Sequence, residues 1–348
     1  MRQASVLCAV AIFLGPAPAA ADGAAEWLLK VSEAARQANY QGIVVYRDGQ
    51  RMDVMRLAHR LHDGRVQERL TSLTGRPRDI LREGDEVFYL VGDQRVQSPG
   101  PLSLFPVLSQ ALLTEASPHY EYRDLGHARV AGRSCRGVVL SPRDDFRYGY
   151  EVCGDVETGV PLRVTLLDRR GRTIEQLMFT EVAFPAEMPD ATFAPPPGVT
   201  PQPVAVASPP PAGPARPTAA REAWRLVRLP PGFRIVRREW APSPDGQGLV
   251  EHVLLSDGLS AVSVFSVRPR APDRAFRGLS NMGAMSAYGR RVGAFNVTVI
   301  GEVPPGTVRM IGDGLAPAAE AESPAGAPSE AEPGAQPEAP SAPDDLTE

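Results

Sequence analysis

The alternation of apolar and polar positions is clearest in residues 251–267 (EHVLLSDGLSAVSVFSV). Two runs rich in β-branched residues flank Ser256, Asp257 and Gly258, a combination typical of a tight reversal. In the second run apolar side chains stand at both odd and even positions, as in a strand that is covered on both faces. The pattern predicts a β-hairpin at the centre of a small C-terminal domain.

A longer series of β-forming runs fills the N-terminal half, and it alternates with turn signals such as Asp48-Gly49 and Asp63-Gly64. The predicted strands are residues 42–47, 52–59, 66–73, 87–91, 120–125, 129–133, 137–141, 147–153, 162–168 and 173–184. The reversal between the fifth and sixth of them is predicted at Gly126-His127. So many consecutive strands predict one large, strongly curved antiparallel sheet, since flat sheets of that width are rare.

Two segments of this half have a helical pattern. The first has apolar residues at helical spacing, at Trp27, Val31, Ala34, Ala35 and Ala38. The second, residues 98–114, has no charge and lies between the two groups of predicted strands. It could fill the concave side of the sheet as a packed core helix, or cover an apolar pocket there as a lid. The candidate residues for an acyl or peptide pocket are Leu102, Leu104, Phe105, Leu108 and Leu112.

The two ends and one internal stretch have compositions that do not predict a folded core. Residues 1–21 combine Arg2, a short apolar run and a terminal Ala-Ala-Ala, which predicts a signal peptide. Residues 195–221 are rich in proline and predict an extended linker. Residues 315–348 consist largely of Ala, Pro and Glu and predict a disordered acidic tail. The predicted domains are therefore residues 22–194 and 222–314, and residues 278–287 in the second predict a short helix or loop.

Two cysteines remain after removal of the predicted leader, Cys135 and Cys153. An even number of cysteines in an oxidising compartment favours a disulfide between neighbouring strands. A pair of buried free thiols is the alternative. No His or Cys stands at ligand spacing beside them, so we expect no metal site there.

The charge is distributed unevenly. The formal net charge is -4, but the tail from Leu315 carries eight carboxylates and no basic residue, so the remainder is net cationic. The densest cationic points are Arg237-Arg238 and Arg290-Arg291. Guanidinium groups bind phosphates and carboxylates in a bidentate manner, although such doublets also decorate solvated surfaces. For an exported chain of negative overall charge we expect a glycolipid phosphate or an acidic peptide as partner, and no nucleic acid.

Known catalytic motifs are absent from the sequence. It contains no G-x-S-x-G elbow, no H-E-x-x-H and no glycine loop that would cradle a phosphate. His59 and His62 form the nearest histidine pair, at a spacing typical of a strand end beside a turn. We therefore expect a binding protein without a cofactor, and not an enzyme.

Several longer strings resemble one known family. They are residues 39–42 (NYQG), 68–79 (ERLTSLTGRPRD), 141–150 (SPRDDFRYGY), 229–233 (LPPGF), the predicted hairpin, and 297–304 (VTVIGEVP). Together they resemble the MucB/RseB family of periplasmic regulators. The resemblance implies a mainly β, α+β protein, with an N-terminal half-barrel similar to the lipoprotein carrier LolA, helices on its concave face, and a smaller C-terminal α+β domain. Asp79 and Cys153-Gly154 depart from the family pattern.

The resemblance also implies a function in the periplasm. Such a regulator binds the periplasmic region of a membrane-spanning anti-sigma factor of the RseA or MucA type and protects it from the site-one protease. Lipopolysaccharide or another lipid releases it, so the envelope-stress sigma factor is restrained until that signal arrives. A homo-oligomer would be compatible with this role. The alternative is a LolA-type carrier of lipid or lipoprotein without a signalling partner, but a carrier would not need the linked second domain.

Overall fold

The computed structural model describes residues 19–98 without 76, 78, 85, 92 and 93, and then residues 117–194, 224–242, 249–269 and 275–317. The five pocket residues predicted between positions 102 and 112 lie outside this range. So do the predicted leader up to residue 18, the predicted linker, and the tail beyond residue 317. Within the described residues the chain is mainly β and forms two domains.

The large N-terminal domain is a curved antiparallel sheet of eleven described strands packed on helix α1 (Ala19–Gln37). The strands are β1 Tyr40–Asp48, β2 Arg51–His62, β3 Arg65–Ser72, β4 Asp79–Glu83, β5 Glu86–Val91, β6 Gln94–Ser98, β7 Tyr120–Val130, β8 Arg133–Pro142, β9 Gly149–Asp155, β10 Pro161–Leu167 and β11 Thr173–Ala183. Their order across the sheet is β6-β5-β4-β3-β2-β1-β11-β10-β9-β8-β7. The chain therefore runs outward from the centre to one edge and returns from the other edge.

Helix α1 is fixed by its apolar stripe on the concave face. Trp27, Leu28 and Val31 are buried there, and each fully buried side chain of this kind stabilises the fold by about 1.5–3 kcal/mol. The Trp27 indole Nε1 also donates a hydrogen bond to the carbonyl oxygen of Arg136 at 3.1 Å. Gly154 makes room for this helix, because a Cβ at that position would lie 2.3 Å from the Val31 side chain. The departure from the family pattern at Gly154 thus has a packing reason.

A disulfide joins Cys135 of β8 to Cys153 of β9, with their Cα atoms 5.5 Å apart. Both residues are fully buried in the core beneath α1. The prediction of a disulfide between neighbouring strands is confirmed.

The small C-terminal domain combines a six-stranded sheet, a two-stranded ribbon and one described helix. Its elements are β12 Trp224–Leu226, β13 Arg234–Pro242, β14 Leu249–Ser256, β15 Ala261–Val267, β16 Gly278–Met282, β17 Met285–Val292, β18 Phe295–Glu302, α2 Pro305–Asp313 and β19 Leu315–Pro317. The sheet order is β13-β14-β15-β18-β17-β16, and β12 pairs with β19. The predicted hairpin is confirmed as β14 and β15, in the middle of the sheet.

Two predictions about the small domain were wrong. Strand β15 is buried on one face only, because Val262 and Val264 face the core while Phe265, on the other face, is 38% exposed. Residues 278–287 are not a helix or a loop: residues 278–282 form β16, residues 285–287 begin β17, and a tight turn joins the two strands. Their small and polar residues hide the strand period, since backbone pairing of β16 with β17 and of β17 with β18, and not side-chain alternation, holds them. The last strand, Leu315–Pro317, also extends the fold beyond residue 314 by pairing with β12.

The large domain also differs from the prediction in its strand ends. Gly126 is not in a reversal but in a bulge of the single long strand β7, where its φ of 73° accommodates the extra residue. The reversal lies at Ala131-Gly132, where both residues have positive φ. Strands β4 and β6 were not predicted, because they are short and rich in charged or polar residues.

Candidate functional site at the domain seam

The two domains meet along a continuous surface that we call the domain seam. It is formed by residues 119–120, 144–150 and 175 of the large domain and residues 231–233, 257–260, 283–286, 302 and 307 of the small domain. One end of the seam is built around an arginine and the other around two glutamates.

Arg147 is the centre of the basic end, and its side chain is fully buried. Its Nη1 donates to Oδ2 of Asp257, which is also fully buried, at 2.5 Å. Its Nη2 donates to the carbonyl oxygen of Pro231 at 2.5 Å, and its Nε donates to Oδ1 of Asp144 at 3.0 Å. Three edges of the guanidinium are therefore satisfied, two of them by the small domain. Removing either partner of such a buried pair leaves the other charge uncompensated.

The local structure on both sides prepares this ion pair. Asp257 opens the turn between β14 and β15, and its Oδ1 accepts the backbone N–H groups of Leu259 at 3.0 Å and Ser260 at 2.6 Å. Its other oxygen is left for Arg147. On the large-domain side, Asp144 accepts the backbone N–H of Phe146 at 2.9 Å and so shapes the loop that presents Arg147. Each aspartate thus builds a turn and binds the arginine.

Aromatic rings and a glycine complete the basic end. The Arg147 guanidinium lies 5.3 Å from the ring centroid of Phe233 and 5.7 Å from that of Tyr120, within the range of cation–π attraction. Gly232 has a φ of 80°, and a Cβ there would lie 2.1 Å from Nε2 of His119. A side chain at this position would strain the backbone and force the His119 ring to move.

The acidic end lies where the turn between β16 and β17 rests on the large sheet. Oε1 of Glu175 accepts the backbone N–H of Ala284 at 3.0 Å, and its Oε2 accepts the Tyr46 hydroxyl at 2.8 Å. Burial, followed by the hydrogen bond to Glu175, raises the pKa of Tyr46, so this phenol stays a donor. Ala284 is buried against Tyr148.

Glu302, the last residue of β18, adds a second carboxyl to this end. Part of its side chain is exposed, but partial burial of the carboxyl and the negative charge of Glu175 raise its pKa to about 7. Between the two ends, Oγ1 of Thr307 in α2 donates to the carbonyl oxygen of Phe146 at 2.7 Å.

The four arginines predicted to contact an anion do not form one cluster. Arg237 and Arg238 lie on β13, whereas Arg290 and Arg291 lie on β17, with three strands between them. At about 4.8 Å per strand, the two doublets are roughly 19 Å apart. Their role in anion binding stays a prediction.

Several of these arginines have local partners. Arg238 stacks on Trp224 at 4.9 Å, and its Nε lies 3.3 Å from Glu251. Arg290 donates to the carbonyl oxygen of Gly312 at 3.1 Å. Arg291 donates to that of Gly293 at 3.0 Å. The side chain of Arg237 is 61% accessible, and its Nε lies 3.5 Å from Glu239.

The seam is the feature that the sequence did not reveal. Its key residues lie in three strings that carry the family resemblance, residues 141–150, 229–233 and the hairpin, but nothing in their spacing shows that they meet. Among the described residues, no group of three or more His, Cys, Asp and Glu side chains is arranged to hold a metal ion. In the same part of the chain, no helix combines the length and the apolar character needed to cross a membrane.

Comparison with known families decides the relationship. Residues 23–197 match the MucB/RseB N-terminal domain, and residues 218–316 match the MucB/RseB C-terminal domain. The chain belongs to the MucB/RseB family. Both matches agree with the two domains of the structure, and the second includes most of strand β19.

Named relatives in this family are similar over most of their length. The sigma factor AlgU regulatory protein MucB of Pseudomonas aeruginosa is 33% identical over 332 residues, which cover 92% of this chain and 100% of the relative. The sigma-E factor regulatory protein RseB of Escherichia coli K12 is 30% identical over 306 residues, which cover 83% of this chain and 89% of the relative. These relatives are regulatory proteins by name.

Solved structures of MucB have a similar fold. The complex of MucA and MucB from P. aeruginosa matches with a TM-score of 0.66 and 28% identity, over 86% of this chain and 100% of that chain. A crystal structure of MucB matches with a TM-score of 0.58 and 26% identity, over 85% of this chain and 98% of that chain. The first of these shows that a relative of similar fold binds MucA.

Proposed function

We propose that this protein binds the periplasmic region of a membrane-spanning anti-sigma factor of the RseA or MucA type, and thereby restrains an envelope-stress sigma factor. The observation that supports the proposal most strongly is the similarity to MucB in its complex with MucA, which extends over both domains of this chain. A carrier of lipid or lipoprotein would need only the large domain.

The periplasm is the compartment that fits the chain best. The predicted signal peptide and the buried disulfide between Cys135 and Cys153 both support it, because disulfides persist in oxidising compartments. The proposed partner presents its periplasmic region in the same compartment.

The regulation we propose is a linkage between two ligands. The anti-sigma factor binds the protein and is shielded from the site-one protease, and lipopolysaccharide or another lipid favours a state that releases it. A ligand shifts such an equilibrium only by its difference in affinity for the two states. The domain seam supports this mechanism, because it fixes how the two domains face each other. It therefore defines any surface on which a partner contacts both domains.

The location of the lipid remains a proposal in two parts. We place the acyl chain against Leu102, Leu104, Phe105, Leu108 and Leu112. The arginines at 237, 238, 290 and 291 are candidates for its phosphates or for the anti-sigma factor. Their joint replacement by glutamate should weaken lipid-triggered release, and unchanged release would exclude the phosphate role.

Proteolysis of the purified periplasmic segment of the anti-sigma factor tests the function directly. We expect its cleavage by the site-one protease to slow when this protein is added, and to recover when lipopolysaccharide follows. An unrelated periplasmic protein of similar size controls for crowding. Equal cleavage with and without the protein, together with a pull-down that recovers no membrane anti-sigma factor, would favour the lipid carrier instead.

A further inference from the structure

A cavity of about 260 Å³ opens on the convex face of the large sheet, away from α1. It is lined by Arg56, Ala58, Arg69, Thr71 and Thr192. Its volume exceeds that of several water molecules, at about 30 Å³ each in the liquid. It is smaller than the roughly 300–1,000 Å³ of pockets that enclose a whole small-molecule ligand. The size suits one polar group of a ligand.

The strand register explains why two cations converge here. In the pairing of β2 with β3, Arg56 is opposite Thr71 and Ala58 is opposite Arg69. Residue Leu57, between Arg56 and Ala58, points to the opposite face and is buried in the core. Arg56 and Arg69 are therefore diagonal neighbours on the convex face, within reach of each other. Like charges at this spacing repel unless an anion lies between them.

The hydrogen bonds of Arg69 do not use all of its five N–H donors. Its Nη2 donates to Asp79 at 2.7 Å, and its Nη1 donates to the carbonyl oxygens of Thr192 and Ala194 at 3.3 and 3.2 Å. Its Nε is buried and has no acceptor among the described residues. Asp79 is thus the carboxylate that pairs with Arg69 at the edge of the cavity.

The positive charge of Arg56 is not balanced by an ion pair in the described part of the chain. The Arg56 side chain is exposed. Asp79 balances only one of the two guanidinium groups, so the cavity keeps a positive charge. This differs from the doublets on β13 and β17, which lie on separate strands and do not converge.

We propose that the cavity binds a phosphate monoester between Arg56 and Arg69, with the hydroxyls of Thr71 and Thr192 as further donors. A phosphate monoester carries a charge of about -1.5 to -2 at pH 7 and has three strong acceptor oxygens. It can accept from β2, β3 and residue 192 together. A planar carboxylate engages one guanidinium fork at a time and fits the same set less well.

The site also contacts the segment that leads toward the second domain. Arg60 holds this segment by donating to the carbonyl oxygen of Met188 at 2.7 Å and to Asp190 at 2.6 Å, and its guanidinium lies over the ring of Phe193. Thr192 lines the cavity from this segment. A bound phosphate therefore contacts both the sheet and the last described residues before the stretch that connects the domains.

Titration of the full mature chain with inorganic phosphate, followed by calorimetry, tests the site. We expect saturable binding that Arg56→Gln weakens about tenfold or more, as for the loss of a hydrogen bond to a charged group. Arg65→Gln is the matched control, because Arg65 is exposed on the same face of β3 but does not line the cavity. Thr71→Val should weaken binding severalfold without a change of charge. No saturable binding, or equal weakening by Arg56→Gln and Arg65→Gln, would overturn the proposal.

A second experiment distinguishes the source of the phosphate. Neutral phosphatidylcholine vesicles that contain lipopolysaccharide are compared with vesicles that contain its dephosphorylated form. Tighter binding to the phosphorylated form, lost in Arg56→Gln, would assign the site to a lipid headgroup; binding of inorganic phosphate alone would assign it to a soluble phosphate ester. Only this lipid arm rests on the proposed function. Protection of the anti-sigma segment without lipid is measured separately, so a failure of the site and a failure of the proposed function are distinguishable.

Discussion

The two ends of the domain seam use charge in opposite ways. At the basic end Arg147 and Asp257 carry opposite charges, are both fully buried, and have hydrogen bonds to further groups. At the acidic end Glu175 and Glu302 carry like charges, and the pKa of Glu302 is raised to about 7. The basic end is therefore held by opposite charges, whereas the strength of the acidic end depends on a proton. One interface thus combines an ion pair with a pair of like charges.

Removal of the arginine at the basic end should have the largest effect. Arg147→Ala leaves Asp257 buried without its partner, and we expect a loss of about 3–5 kcal/mol in the free energy of unfolding. Urea unfolding followed by tryptophan fluorescence measures it. Arg169→Ala is the matched control, because the Arg169–Asp145 pair has the same 2.5 Å separation but is exposed. For the control we expect a much smaller loss, because solvent screens an exposed ion pair. Similar losses in the two variants would show that burial at the seam does not matter.

Replacement of both buried charges sharpens this result. The double variant Arg147→Met with Asp257→Leu removes the uncompensated carboxylate, so it should be more stable than Arg147→Ala by about 2 kcal/mol. The same urea unfolding measures it. A double variant that is no more stable than the single one would mean that the loss of the hydrogen bonds from Leu259 and Ser260 to Asp257 outweighs the removal of its uncompensated charge.

The contact between the two ends should have a smaller effect. Thr307→Val removes the hydrogen bond to the carbonyl oxygen of Phe146, and we expect a loss of about 1 kcal/mol. Thr298→Val is its control, since Thr298 lies on the half-exposed face of the neighbouring strand and should change stability by about 0.5 kcal/mol or less. Thermal unfolding measures both variants. Equal losses of stability in Thr307→Val and Thr298→Val would show that the hydrogen bond of Thr307 does not stabilise the seam.

The acidic end should have the smallest effect, but one that depends on pH. The pKa of Glu302 is raised from 4.5 to about 7, so the folded state holds a proton that the unfolded state has lost in this range. The contribution of Glu302 is therefore fully present below about pH 4.5 and is lost as the pH rises to about 7. Because the side chain is partly exposed, we expect a change of about 1 kcal/mol or less. Glu302→Gln should flatten this part of the pH profile; an unchanged slope would contradict the account of the acidic end.

Features carried by local patterns could be predicted from the sequence. The hairpin of β14 and β15 follows from the Ser-Asp-Gly reversal between two apolar runs, and α1 follows from its apolar stripe. The curved sheet follows from the number of consecutive strands. Strands β16 and β17 were missed because backbone pairing of β16 with β17 and of β17 with β18, and not their side chains, holds them in place.

The seam could not be predicted, because its contacts join distant parts of the chain. Arg147 and Asp257 are 110 residues apart, and residues 195–221 between them show no pattern that fixes a distance or an orientation. From the sequence alone, Arg147 cannot be distinguished from the many surface arginines, and Asp257 is predicted only to be a turn residue. The convergence of Arg56 and Arg69 depends on the register of β2 with β3. No residue of either strand predicts that register.

The central claim is that this protein binds the periplasmic segment of an anti-sigma factor. Isothermal titration of that purified segment into the full mature chain tests it most directly, with an unrelated periplasmic peptide of similar charge as control. The account predicts saturable binding of the segment, and none of the control, in the absence of lipid. A segment that produces no more heat than the control, at concentrations at which the protein is folded, would contradict it.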